Sequence, residues 1–331
     1  MRDWLERRWY SSQPAPLALR PLSSLFGAIA RSRRLRLQQN ARPLEVPVIV
    51  VGNLAVGGTG KTPFVIWLVE RLREWGYQPG VISRGYGGRA PRYPWRVSAR
   101  TPVSESGDEP LLIATRTAAP VMVGADRVAA ARALIAQAGV DVIVSDDGLQ
   151  HYALARSLEI CVVDGARGLG NGALLPAGPL REPAARLQEI PLVVINGSGF
   201  DARHDGQIEM QLRATEAVPL AGGAATYLDR FVGQRVHAVA GIGNPRRFFD
   251  MLRARGIAVI EHAFADHHAF SSQDIQFLDG VNVLMTEKDA VKCHEFAGLM
   301  HFAVPVRAQI DEAAEARVRE LVQQSYDRPN R

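Results

Sequence analysis

Residues 52–63 read Gly52-Asn53-Leu54-Ala55-Val56-Gly57-Gly58-Thr59-Gly60-Lys61-Thr62-Pro63. Glycines at 57, 58 and 60 let backbone N–H groups turn inward around an anion. The Lys61 ammonium is a point charge suited to β- and γ-phosphate oxygens, and the Thr62 hydroxyl suits Mg²⁺. The spacing predicts a cradle for a nucleoside triphosphate, Mg–ATP, built from Ala55, Val56, Gly57, Gly58, Thr59, Gly60, Lys61 and Thr62. Such loops usually open with glycine. Ala55 stands there instead, at a position that tolerates a small residue.

A second group of candidates is acidic. Asp141-Val142-Ile143-Val144-Ser145-Asp146-Asp147-Gly148 is an apolar strand running into two carboxylates. Beside a phosphate loop such an aspartate holds Mg²⁺, directly or through water. Neighbours in a strand point to opposite faces, so one carboxylate can serve the metal while the other does different work. Gly107-Asp108-Glu109-Pro110 opens a helical stretch, and spacing alone favours helix capping there over catalysis. Ser83-Arg84-Gly85-Tyr86-Gly87-Gly88 is either a loop shaped around an anion, with Arg84 free for phosphate, or a tight turn. In Phe264-Ala265-Asp266-His267-His268 two histidines beside an aspartate suggest a metal, but a zinc-type set of three ligands is not evident, so zinc is not expected. A histidine facing the cleft between domains could tune or replace a base, and a surface turn is the simpler reading. Gly178-Pro179-Leu180-Arg181-Glu182 says little by itself.

The elements that must position these residues can be read from periodicity. A buried parallel strand is expected over 46–51 and a helix over 64–75, ended by Gly76; strand, glycine loop and helix is the required context. After about residue 205 strands alternate with helices again: strands at 236–241, 258–262, 281–285 and 302–306, helices at 246–255, 271–278 and 311–326. The expected fold class is α/β, a P-loop NTPase-like parallel sheet with a second, smaller α/β domain. The expected divisions are an arm over 1–43, the loop-bearing domain over 44–205, a linker over 206–234 and the smaller domain with its closing helix over 235–331.

With 331 residues, 47% hydrophobic and 22% charged, the chain can bury two cores, and wholesale disorder is excluded. Cys161 and Cys293 make neither a disulfide framework nor a metal spacing, which fits a reducing compartment. Residues 1–44 hold nine arginines against Asp3 and Glu6, a surplus of seven in a chain whose net charge is +5, so the remainder is slightly acidic. Only three lysines occur, Lys61, Lys288 and Lys292, among 39 basic residues. Where arginine is the default, a lysine can mark a place that needs a compact ammonium.

The arm reads as two short amphipathic helices broken by Pro14, Pro16 and Pro21. Leu22, Leu25, Phe26 and Ile29 share one helical face, followed by Arg31, Arg33, Arg34 and Arg36. Trp4, Trp9 and Tyr10 are aromatics suited to a lipid interface. A signal peptide is rejected because the basic start is long and carries acids. The apolar run of roughly ten residues is half of what a membrane span needs. An interfacial helix with a polybasic flank and a helix docked on the core both remain.

The motifs together resemble those of the tetraacyldisaccharide 4′-kinase family of the lipid A pathway. The resemblance runs in order through 53–63, 83–87, 107–110, Asp146-Asp147-Gly148-Leu149-Gln150-His151, 178–182, Asp266-His267 and Thr286-Glu287-Lys288-Asp289-Ala290-Val291-Lys292. It implies phosphorylation of the 4′-hydroxyl of a tetraacylated glucosamine disaccharide 1-phosphate, with ATP and Mg²⁺, at the cytoplasmic face of the inner membrane. It further implies two α/β domains joined by a two-stranded linker, and a proton-abstracting pair at Asp108 and His267, against the simpler readings of both places. Lys61 and Asp147 join that pair as expected catalytic residues. Thr62, Asp146 and Glu182 are the expected metal side, and Arg84 and Arg181 the expected substrate contacts. Acyl chains leave a bilayer at a cost of about 0.8 kcal/mol per CH₂, so the enzyme must come to the lipid. The arm is therefore expected to touch the membrane peripherally, and no nucleic-acid partner is expected.

Overall fold

The computed structural model describes residues 2–11 and 13–327. A nine-stranded sheet holds Val48–Gly52 (β1), Pro79–Ser83 (β2), Trp95–Val97 (β3), Val121–Val123 (β4), Val142–Ser145 (β5), Leu158–Asp164 (β6), Leu192–Asn196 (β7) and Gln207–Arg213 (β8). A six-stranded sheet holds Glu216–Pro219 (β9), Thr226–Tyr227 (β10), Arg235–Ala240 (β11), Ala258–Ala263 (β12), Val283–Thr286 (β13) and His301–Val304 (β14). The chain then returns to the larger sheet as Arg307–Gln309 (β15), giving the order β15-β8-β7-β6-β1-β5-β2-β4-β3. Strand β1 lies between β5 and β6, parallel to both. Its residues Val48 to Val51 are fully buried, as an all-apolar run covered on both faces requires.

Parallel strands put their carboxyl ends on one edge, where ligands of open α/β sheets bind. That edge carries the phosphate loop after β1, Ser83 at the end of β2, the Asp146-Asp147 turn after β5 and Asn196 at the end of β7. The Lys61–Glu74 helix begins directly after Gly60, whose φ of 92° is open to glycine at little cost. Pro63 sits in its first turn, where no helical N–H is lost.

Four expectations of organisation change. Gln207–Arg213 belongs to the larger sheet, so the crossing itself is short: one pass between β8 and β9, a second between β14 and β15. These antiparallel passes are the two-stranded connection. The closing helix, Glu312–Asp327, packs Ala314, Val318, Leu321 and Val322 into the core of the larger domain, because its apolar stripe finds the uncovered face there. The helix expected over 271–278 is only Ser272–Ile275, held by a reciprocal Ser271–Asp274 cap. Pro21 starts a helix instead of breaking one. Arg20–Gln39 is continuous, with proline in the first turn.

The arm is also differently oriented from the reading of its aromatics. Trp9 is buried and donates its indole N–H to Pro176 O (3.0 Å), and Tyr10 Oη donates to Val56 O in the phosphate loop (3.0 Å). These rings dock the arm on the protein; the side chain of Trp4 lies outside the described residues. Small residues face the domain: Ser23 is buried, and a Cβ on Gly27 would stand 2.6 Å from Leu174. About a third of a turn away Leu22, Leu25 and Ile29 remain 54%, 59% and 59% exposed. Among the described residues no helix is long and apolar enough to cross a membrane.

Candidate active site

The phosphate loop is braced from both domains. Asn53 Nδ2 donates to Ala55 O (2.6 Å), and Asn196 Nδ2 donates to Thr59 O (2.9 Å). Arg247, from the smaller domain, donates to Asn196 Oδ1 (2.7 Å). Gly58 and Gly243 approach so closely that a Cβ on Gly243 would stand 2.7 Å from Gly58 N. Asn196 and Arg247 escaped the sequence reading, since neither lies in a recognisable spacing.

The paired aspartates divide their chemistry, for a reason other than strand alternation. Strand β5 ends at Ser145, and Asp147 lies in a turn with φ 47°. Its carboxylate is 3.3 Å from Lys61 Nζ and 3.5 Å from Arg181 Nη1. Burial pushes this carboxyl up, but Lys61 and Arg181 outweigh it and hold the pKa at about 2. Asp146 is completely buried, accepts from Ser83 Oγ (3.2 Å), and leaves Oδ1 without a hydrogen-bond partner. Burial, followed by Glu109 and Asp147, raises its pKa to about 7. Arg127, itself 3% exposed, clamps the turn by donating to Ser145 Oγ (3.2 Å) and Asp146 O (2.8 Å). The only sequence signal for it was an arginine directly after the helix-capping Asp126.

Across the cleft Asp108 and His267 meet. Asp108 is the first residue of the Asp108–Thr117 helix and accepts from the N–H of Glu109 (2.9 Å), so it does serve the helix start. Its oxygens also lie 3.1 and 3.0 Å from His267 Nδ1, from the other domain. His267 has φ 61°, and its ring centroid is 4.8 Å from that of Tyr86. Gly88 and Gly107 serve a close approach of the 85–88 loop to the helix start: a Cβ on Gly107 would stand 2.4 Å from Tyr86 O, and one on Gly88 2.5 Å from Glu105 O. The hydrogen bond to Asp108 raises the His267 pKa above the ordinary 6.5 against the opposing effect of burial. Burial raises Asp108, but His267, Lys288 and Lys292 outweigh it and the net shift is downward. The two rare lysines thus belong here, Lys292 Nζ at 3.7 Å from Asp108 and Lys288 Nζ at 4.0 Å.

Lys61, Arg84, Asp108, Asp147, Arg181 and His267 line one cleft of about 820 Å³, with Phe26 and Ile29 of the arm at its side. Glu182 borders it too, but its oxygens accept from Gln150 Nε2 (2.8 Å) and from Tyr152 Oη, and Arg34 of the arm lies 3.9 Å away. Among the described residues no group of three or more His, Cys, Asp or Glu side chains is arranged to hold a metal by itself.

A family model described as tetraacyldisaccharide-1-P 4′-kinase matches residues 15–323. The tetraacyldisaccharide 4′-kinase of Stenotrophomonas maltophilia (strain R551-3) is 54% identical over 314 residues, 92% of either chain. One from Pseudomonas putida is 50% identical over 311 residues, 93% of either chain. Among solved structures LpxK from Aquifex aeolicus, in complex with ATP, matches with a TM-score of 0.77 at 28% identity, over 93% of this chain and 98% of that one. A match that spans both sheets and the cleft between them makes this chain a member of the tetraacyldisaccharide-1-phosphate 4′-kinase family.

Proposed function

We propose that this kinase transfers the γ-phosphoryl group of ATP to the 4′-hydroxyl of a tetraacyldisaccharide 1-phosphate, giving lipid IVA, at the cytoplasmic face of the inner membrane. The observation that carries the reading is one cleft holding both halves of the reaction: Lys61 in its phosphate loop, and the Asp108–His267 pair opposite. Phosphoryl transfer needs positioning and charge neutralisation more than covalent help. The amides of 55–62 and Lys61 take the triphosphate, and Arg84 and Arg181 face the transferring group or the substrate phosphate.

Mg²⁺ fits the residues present. Asp146 Oδ1 is a buried acceptor with nothing to accept from, and Mg²⁺ is usually held by one or two carboxylates plus phosphate oxygens. Thr62 and Asp146 would hold it, with Glu182 at the flank, and it would neutralise charge on the β- and γ-phosphates. His267 is the more accessible member of the pair, its side chain 24% exposed against 4% for Asp108. With Nδ1–H donating to Asp108, Nε2, which lies 3.8 Å from Asp266 Oδ2, would accept the proton of the sugar hydroxyl. The hydroxyl O–H bond breaks, its oxygen bonds phosphorus, and ADP leaves.

The exposed Leu22, Leu25 and Ile29, with Arg31, Arg33 and Arg36 after them, suit a helix lying in an anionic membrane surface. They run beside the cleft and would meet the acyl chains where they already are. The deciding experiment is radiolabel transfer from γ-labelled ATP to a defined tetraacyldisaccharide 1-phosphate in vesicles. A labelled bisphosphorylated lipid is expected. ATP hydrolysis indifferent to lipid would replace this reading with a nucleotide switch.

A further inference from the structure

Two short ion-paired contacts join the domains beside the Asp108–His267 pair. On the Asp108–Thr117 helix, Glu109 and Arg116 are seven residues apart, hence on one face and about 10.5 Å apart along the axis. Facing them in the smaller domain is the short helix Glu287–Ala290, capped by Thr286. Arg116 Nη1 donates to both oxygens of Glu287 (2.9 and 2.7 Å). Lys288 Nζ donates to Glu109 Oε1 (2.9 Å) and to Asp266 Oδ1 (3.1 Å). Glu109 adjoins Asp108 in sequence, and Asp266 adjoins His267. One ammonium therefore ties together the chain neighbours of both members of the pair.

We infer that Glu287 and Lys288 form, with Arg116 and Glu109, a two-point clamp between the domains, and that Lys288 is a positioning residue that sets Asp108 against His267. The inference rests on the phosphotransfer reading above. An ammonium suits this place better than a guanidinium. Its three N–H groups diverge from a single nitrogen and can meet Glu109 and Asp266 while facing Asp108 from 4.0 Å, a convergence on one compact charge that a guanidinium, with its donors spread over a rigid plane, does not reproduce. That accounts for a lysine here in a chain where 36 of the 39 basic residues are arginine. One side of the clamp lies in the segment 286–292, the other on the Asp108–Thr117 helix.

The test measures transfer from γ-labelled ATP to tetraacyldisaccharide 1-phosphate across pH for Lys288→Met, Lys288→Arg and Arg116→Met, with the wild-type chain in parallel. Lys288→Met should lower kcat by at least about tenfold, as misplacement of a catalytic pair does, with KM for ATP unchanged. It should also move the acid limb of the profile to higher pH, because the Lys288 charge opposes protonation of His267. Lys288→Arg keeps the charge and should keep the limb while kcat still falls. Arg116→Met touches neither Asp108 nor His267 and should cost severalfold in kcat with the limb unmoved. Wild-type kcat and limb in Lys288→Met overturn the inference. So does an equal fall in both Lys288 variants with neither limb shifted, which is the mark of packing alone. Should the methionine variant not fold, unchanged kcat in Lys288→Arg and Arg116→Met overturns it, and a fall in both supports it. Absence of transfer by the wild-type chain refutes the phosphotransfer reading, whereas transfer that ignores these substitutions refutes only the clamp.

Discussion

The imidazole of His267 accepts a proton only while neutral, and its hydrogen bond to Asp108 raises its pKa above 6.5. The kcat profile should therefore rise with pH through a limb lying above pH 6.5. In Asp108→Asn the main cause of the shift is gone, so the limb should slide toward lower pH while kcat falls by about 10²-fold or more. A limb that stays in place would show that another group sets it. Lys61→Met should abolish transfer altogether, since the ammonium that holds Asp147 at 3.3 Å is the one proposed to neutralise phosphate charge. Asp146 allows a separate check. In Asp146→Asn the buried acceptor loses its charge, and the Mg²⁺ concentration giving half-maximal rate should rise by at least about tenfold; an unchanged requirement would remove Asp146 from the metal side.

Glycine-rich turns position the site by letting backbones touch. Gly107 has φ 81°, and an added Cβ would press on Tyr86 O. Gly107→Ala should therefore cost roughly 1–3 kcal/mol in urea unfolding, and it should lower kcat more than ATP affinity because Asp108 follows directly. Equal stability would mean that the two turns separate without loss. The first strand, the phosphate loop and its helix were legible because each follows a local rule of period or spacing. The helix over 271–278 was misjudged for the opposite reason: Phe277 turns away to stack on His237 and His262, a contact no local pattern announces.

At the scale of the whole molecule the arm is held by Trp9, Tyr10 and Ser23, and presents its larger apolar side chains outward. Replacing Leu22, Leu25 and Ile29 together by serine should abolish sedimentation with anionic vesicles. Thermal unfolding should barely move, because exposed positions contribute within about 0.5 kcal/mol. Vesicle binding that survives both this change and high salt would assign the membrane contact elsewhere. The same arm brings Arg34 within reach of Glu182, so its docking also borders the cleft.

The sequence by itself determined the phosphate loop, the acidic turn after β5, the two-domain α/β plan and the amphipathic basic arm, because each is written in neighbouring residues. Only the tertiary structure decided which aspartate meets Lys61, which way the arm aromatics turn, where the closing helix packs and what Lys288 touches. His267 reaches Asp108 across 159 positions and Lys288 reaches Glu109 across 179. Such pairs exist because two separate sheets meet at one cleft, so no local pattern can encode them.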